Sequence, residues 1–274
     1  MPQKPKLGQN YLQDSEAIVK ISHALGNLSE ETVVEIGPGR GAITRALAAR
    51  SRHVLAIEYD ATLASALRAE FSPERLTVVQ QDVLSFDFAA ASVTAGKRLP
   101  VVGNLPYYIT SPILLKLAAS HAAIDRAVLM VQREVADRIV AGPGSREYGS
   151  LSVMVQMYGP VERLFTLPPS AFAPPPEVHS TVFRWRFAPK FDDFGVKEGA
   201  FLRFVRQIFA QKRKTLANNL RAAGYEPAQV TDALNKVGVS PLARAEELSL
   251  EVIAALSREL KTEEAVLADE ATLP

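Results

Sequence analysis

The segment Glu35-Ile-Gly-Pro-Gly-Arg-Gly41 closes a β-branched run and opens at once into a helical pattern. Glycine at 37, 39 and 41 lets the backbone turn sharply and lets a ligand lie against it. Three alternating glycines are more than a bare strand-to-helix turn needs. Gly37, Gly39 and Ala42 also satisfy the G-x-G-x-x-G/A spacing of dinucleotide sites, so spacing alone leaves a nicotinamide or flavin nucleotide open. Glu58, at the end of the next strand-like run, suits ribose hydroxyls in either case. Two features favour S-adenosylmethionine. Pro38 lacks the N–H that a pyrophosphate cradle uses, whereas S-adenosylmethionine has no phosphate and carries a positive sulfonium. Asp82, which ends a third run, adds a carboxylate suited to an adenine amino group. Isolated acids more often cap turns or face solvent. Acids at successive strand ends after a glycine-rich turn lie where such sheets bind ligands.

The fourth run ends in Asn104-Leu-Pro-Tyr-Tyr108, the most specific signal in the chain. It resembles the (Asn/Asp/Ser)-x-Pro-(Tyr/Phe) motif of amino-methyltransferases. That resemblance implies that the Asn104 side-chain oxygen and the Leu105 carbonyl accept the two hydrogens of an exocyclic amine. An aryl amine is a poor nucleophile because its lone pair is delocalised. Two acceptors bias the nitrogen towards sp³ and aim the lone pair at the sulfonium methyl, so catalysis is mainly positioning. Tyr107 would stack on the target base. Phe172, stiffened by Pro174, Pro175 and Pro176, is placed to close the other side of the base, although a proline-anchored core phenylalanine has the same pattern. Histidines 23, 53, 121 and 179 have no metal-ligand spacing, so no metal is expected. There is no P-loop and no G-x-S-x-G or zinc signature.

These residues need a scaffold that brings strand ends together. Thr32–Gly37, His53–Tyr59, Leu76–Gln80, Val101–Asn104 and Ala127–Gln132 read as buried strands. Ile43–Ala49, Thr62–Glu70 and Pro112–Ser120 read as helices between them. Strands alternating with helices predict an α/β fold with a parallel sheet. Val161–Leu167 and Ser180–Phe187 follow without a helix between them and read as a hairpin-like edge around the Pro168–Pro176 loop. Near the N-terminus a helix is expected to start at Asp14 or Ser15. Ala188–Val196 looks like a linker, and only helical patterns follow Gly199. The expected domains are therefore 1–190 and 191–274, with the Ala/Glu-rich end from Glu263 fraying.

At 274 residues, 47% hydrophobic and 22% charged, the chain has the composition of a globular protein with a real core, which excludes disordered and fibrous classes. Cysteine is absent, so there is no disulfide, thiolate metal site or cysteine nucleophile, and a reducing cytoplasm fits. No apolar run approaches the ~20 residues of a membrane span, and the polar segment 1–10 does not read as a signal peptide. The net charge of +1 hides an uneven distribution. From Gly199 to Tyr225 there is no acid, while Arg203, Arg206, Lys212, Arg213, Lys214 and Arg221 all lie there. Arg203, Arg206 and Arg213 are expected on one helical face, with Leu202, Val205, Ile208 and Leu216 towards the core. A one-sign strip of this kind suits phosphate, whereas Glu246–Pro274 is mostly acidic.

Gln9-Asn-Tyr-Leu12, the Glu35–Gly41 loop, Gln81-Asp82, Asn104–Tyr107, the Phe172 loop and Gln211-Lys-Arg-Lys-Thr-Leu-Ala-Asn-Asn-Leu220 occur in the order of the small-subunit rRNA adenine N6-dimethyltransferase family. The chain resembles that family over nearly its whole length. The resemblance implies a Rossmann-like class I methyltransferase domain with a mostly parallel seven-stranded sheet, plus a small all-α C-terminal domain. It implies dimethylation by S-adenosylmethionine of two adjacent adenines in the 3′-terminal hairpin loop of 16S rRNA. The expected setting is an assembling 30S subunit in the cytoplasm, with the enzyme as a monomer and no membrane partner. By motif position, Asn10, Leu12, Gly37, Glu58, Asp82 and Asn104 resemble cofactor contacts. Asn104, Leu105, Tyr107 and Phe172 resemble target-base contacts. Tyr108 departs from the Asn that bacterial relatives often carry. A 23S rRNA adenine methyltransferase, or a non-catalytic ribosome-assembly factor on the same fold, remains as an alternative. The Lys212–Leu220 segment favours the 16S group.

Overall fold

Val33, Val34, Val54, Val101, Val102 and Val128 are buried to 1% exposure or less, the mark of strands covered on both faces. In the computed structural model, which describes residues 10–260, they lie in one sheet. The chain runs β1 (Tyr11–Leu12), α1 (Ser15–Ala24), β2 (Thr32–Ile36), α2 (Ala42–Ala48), β3 (His53–Glu58), α3 (Ala61–Glu70), β4 (Leu76–Gln80), α4 (Phe88–Ala95), β5 (Leu99–Asn104), α5 (Thr110–Ala119) and β6 (Ile124–Gln132). It continues through α6 (Arg133–Val140), α7 (Ser150–Met157), β7 (Val161–Leu167), β8 (Phe172–Ala173) and β9 (Ser180–Arg186). Helices α8 (Glu198–Ile208), α9 (Leu216–Ala222), α10 (Pro227–Val237) and α11 (Leu250–Glu259) complete it. The polar start and the end from Glu263 lie outside the described residues.

Seven strands pair in the order β4-β3-β2-β5-β6-β9-β7. The first four pairings are parallel, and β6–β9 and β9–β7 are antiparallel. The expected edge hairpin is therefore present, with β9 inserted between β6 and β7. The order reverses between β2 and β5. A crevice opens at such a reversal, beyond the strands' C-terminal ends, and the glycine loop and Asn104 both leave the sheet there. Outside this sheet, β1 pairs antiparallel with β8, setting Leu12 opposite Phe172. Asp14 caps α1 by accepting from the Ala17 N–H at 2.9 Å.

Contacts divide the chain into two compact units, one holding the residues up to 136 with 160–188, the other 137–159 with those from 189. The expected split at 190 thus differs by one segment. The reason lies in α7 and its exit. Tyr158 packs edge-on against Phe191 at 5.1 Å and donates to Glu198 Oε1 at 2.5 Å, and the Met157 carbonyl accepts from the Lys190 N–H. The second unit has its own core of Phe201, Phe204, Val205, Ile208, Leu216, Leu220, Val230, Leu234 and Ile253. Leu202 is only half-buried, and Phe201 and Phe204 face inward instead. Among the described residues no helix is long and apolar enough to cross a membrane.

Candidate active site

The loop between β2 and α2 is built by backbone that only glycine tolerates well. Gly39 has φ +55°, and a Cβ there would meet the Tyr11 ring at 3.0 Å. Gly41 has φ +79°, and a Cβ would strike Leu67 at 2.8 Å. The Arg40 guanidinium stacks 4.5 Å from the centre of the same Tyr11 ring.

The loop's three glycine N–H groups are already engaged. Gly37 N–H donates to the Ile57 carbonyl, Gly41 N–H to the Pro38 carbonyl, and Gly39 N–H to Glu58 Oε2 at 3.0 Å. Pro38 has no N–H. The glycine N–H groups that would cradle a pyrophosphate are therefore turned to other partners, which disfavours the dinucleotide reading.

Glu58 is 5% exposed and its other oxygen accepts from the Asp60 N–H at 2.9 Å. One carboxylate thus ties the glycine loop to the end of β3 and lines the cavity with its remaining lone pairs. Asp82 caps the 3₁₀ turn that follows β4, accepting from the Leu84 N–H at 2.9 Å, and also lines the cavity.

Asn104 ends β5. Its Nδ2 donates to the Asn10 carbonyl at 3.0 Å, which turns the acceptor Oδ1 to the opposite side of the amide. Leu105 is held by its N–H to the Met130 carbonyl. Tyr107 shares a 2.8 Å hydrogen bond with the Ser180 hydroxyl on β9. Partial burial raises its phenol pKa, and the bond to Ser180 opposes that.

Asn10, Leu12, Gly37, Glu58, Asp82, Asn104, Leu105 and Tyr107 all line one cavity of about 350 Å³. Phe172 does not. It is 4% exposed and belongs to the core around Leu12, Ala171 and Val182, held there by the pairing of β8 with β1. The six basic residues lie in the other unit and are all exposed. Arg213 is not on the face of Arg203 and Arg206. Helix α8 ends at Ile208, and residues 212–214 form a turn before α9.

Among the lining residues that carried no expectation of a role, three polar ones stand out. Tyr11 and Tyr59 each adjoin a residue that did, so neighbourhood was the available signal. Glu35 is 2% exposed with Oε2 lacking any hydrogen-bond partner. Burial raises its pKa to about 7. Thr44 opposes the rise and the Glu58 charge adds to it. Strand position was the only clue, since an acid amid Val33, Val34 and Ile36 must be buried with them.

A mostly parallel sheet with a glycine loop, two strand-end carboxylates and a strand-end Asn-Leu-Pro-Tyr at its reversal point defines a class I methyltransferase. The profile of the family "Ribosomal RNA adenine dimethylase" matches residues 2–262, and the chain belongs to that family. It is 58% identical over 259 residues to ribosomal RNA small subunit methyltransferase A of Acidobacterium capsulatum, covering 94% of this chain and 91% of that one. The like-named protein of Koribacter versatilis is 48% identical over 270 residues, 94% of each chain. Among solved structures, a dimethyladenosine transferase from Plasmodium falciparum superposes with a TM-score of 0.75 at 25% identity, covering 90% of this chain and 95% of that one. The 23S rRNA methyltransferase ErmE gives 0.70 at 26%, covering 92% and 100%.

Proposed function

We propose that the chain dimethylates N6 of two adjacent adenines in the 3′-terminal hairpin loop of 16S rRNA, on an assembling 30S subunit, with S-adenosylmethionine as donor. The observation that carries this is the Asn104 amide, pinned through Nδ2 to Asn10 with Oδ1 left as an acceptor at the cavity. The residues present fit the donor. The glycine N–H groups are already taken and offer little to a phosphate, whereas the Glu58 and Asp82 carboxylates line the cavity and suit a cationic donor. Bound there, the donor supplies an electrophilic methyl on a positive sulfonium. Asn104 Oδ1 and the Leu105 carbonyl accept the two amine hydrogens and aim the nitrogen lone pair. Tyr107, steadied by Ser180, offers its ring to the target base. The proton leaves easily once the nitrogen is alkylated, so no strong base is required. After the first transfer one amine hydrogen remains, enough for one acceptor to aim the second. The proposed setting is a monomer, and an rRNA substrate favours the cytoplasm.

The small-subunit names of the 58% and 48% relatives favour 16S over 23S rRNA. The decisive experiment incubates the protein and S-adenosylmethionine with unmethylated small subunits, large subunits and naked 16S rRNA, then maps methylated adenines by mass. Two neighbouring dimethyladenines in the small subunit are expected. Methylation confined to 23S rRNA, or none with an intact donor, overturns the proposal.

A further inference from the structure

The orientation of Asn104 depends on a backbone group 94 residues away. The Asn10 carbonyl can only accept, so it draws the amide Nδ2 towards itself and leaves Oδ1 facing the other way. That bond is as firm as the placement of β1, the two-residue strand that begins directly after Asn10. On one side β1 is joined to β8. Tyr11 pairs with Ala173 and Leu12 with Phe172, and the Gln13 and Asp14 N–H groups both donate to the Ala171 carbonyl, at 2.9 and 3.3 Å. Leu12 and Phe172 share the core. A pair of such short strands is marginal by itself. On the other side the Tyr11 ring reaches the glycine loop. It covers Gly39 so closely that a Cβ there would lie 3.0 Å from the ring, and the Arg40 guanidinium sits 4.5 Å from the ring centre. Tyr11 is half-buried and Arg40 exposed, and both line the cavity with Asn10 and Asn104.

We infer that Tyr11, held between Gly39 and Arg40, is a positioning residue for methyl transfer: it latches β1 to the glycine loop so that the Asn10 carbonyl keeps Asn104 Oδ1 turned to the target amine. This rests on the reading of Asn104 above and extends it to two residues that act through Asn104 rather than on the reacting atoms. With the latch gone, β1 is held from the β8 side alone and the carbonyl moves off Nδ2. The amide is then free to rotate. Turned over, it presents a donor to an amine that needs an acceptor, and the lone pair is no longer aimed.

The test is single-turnover methyl transfer to unmethylated small subunits at saturating S-adenosylmethionine, with calorimetric donor affinities and thermal melts alongside. Tyr11→Ala should lower the saturated rate by ~10-fold or more, the scale of a small misplacement at a reacting group. Tyr11→Phe keeps the ring over Gly39 and under Arg40, so it should stay within ~2-fold of the parent. Arg40→Gln removes an exposed cation from the ring without touching the β1–β8 pairing and should cost ~3-fold. Combined with Asn104→Ala, neither Tyr11→Ala nor Arg40→Gln should cost anything further, because no amide is left to orient. Losses that add in full to that of Asn104→Ala overturn the inference. So does a Tyr11→Ala variant whose loss disappears at saturating donor, which makes Tyr11 a donor contact only. Should Tyr11→Ala fail to fold, Arg40→Gln decides, and a parental rate in that variant overturns the latch. A parent chain that methylates nothing overturns the reading of Asn104 and the latch with it, whereas an active parent beside an equally fast Tyr11→Ala overturns the latch alone.

Discussion

Asn104 and Glu35 both line the cavity, but one is a fixed neutral amide and the other a buried carboxyl. Asn104 offers a neutral oriented acceptor whose amide is fixed by Asn10. Asn104→Ala removes an oriented contact that matters most as the nitrogen becomes sp³, so methyl transfer should fall by ~10²-fold or more. Folding should survive, since the side chain gives up one hydrogen bond to a backbone carbonyl. Single-turnover methyl transfer, compared with thermal melting, checks this, and wild-type turnover counts against the assignment. Glu35 holds its proton to about pH 7 when folded, against 4.5 for an ordinary glutamate, chiefly because it is buried. The folded state therefore binds more protons than the unfolded chain across that window, and stability should fall as pH rises from about 4.5 to about 7. Glu35→Gln removes that loss. In the absence of donor, urea midpoints of variant and parent should diverge through the window in the variant's favour, by a few kcal/mol, and run parallel above it. Parallel behaviour at every pH shows that Glu35 does not titrate in this range.

At the scale of elements, the turn between β2 and α2 is the piece most fully legible in the sequence. Alternating glycines admit few other interpretations, and the structure gives Gly37, Gly39 and Gly41 positive φ. The parallel strands were equally legible, because short β-branched runs covered on both faces carry no alternation to misread. Helices α4, α6 and α7 were not. Phe88–Ala95 is short and alanine-rich without an apolar stripe, and Ser150–Met157 carries Val153 and Val155 amid near-continuous apolar residues, so helical periodicity is hidden. The glycine turn also separates fold from ligand binding. Gly41 faces Leu67 and lies off the cavity lining, so Gly41→Ala should cost ~1–2 kcal/mol of stability for its left-handed backbone, plus the Leu67 clash, with donor affinity nearly unchanged in the folded fraction. Gly39→Ala adds a Cβ against Tyr11 in the cavity wall, so it should lower both melting temperature and donor affinity. Equal affinity losses in the two variants contradict this division.

Across the whole molecule, the motif residues meet in one cavity, while one segment groups with the helical unit rather than with its sequence neighbours. Asn104, Glu58 and Asp82 converge because strand ends of one parallel sheet must converge. Phe172 shows the limit, since a proline-rich loop fixes a ring without saying whether it faces a ligand or a core. Segment 137–159 joins the helical unit through Tyr158 and Phe191, a pairing that no local pattern announces. The basic strip tests how charge is used at this scale. None of Arg203, Arg206, Lys212, Arg213, Lys214 and Arg221 forms an ion pair among the described residues, and Lys212 donates only to the Arg146 carbonyl at 3.1 Å. Exposed cations with no acidic partner remain available to phosphate, and each phosphate contact releases condensed counterions on binding. Replacing Lys212, Arg213 and Lys214 together by alanine should therefore weaken binding to small subunits. It should also flatten log affinity against log salt by ~0.7–0.9 for every contact removed. Replacement by glutamate should weaken binding further, because repulsion is added to lost attraction. The strip and the cavity belong to different units, so donor affinity should stay at the parental value in both variants. A filter-binding series from low to high salt reads the slope directly. An unchanged slope and affinity make the 212–214 turn an ordinary solvated corner and shift the RNA grip to other basic residues, of which Arg133, Arg138 and Arg146 are the next to replace.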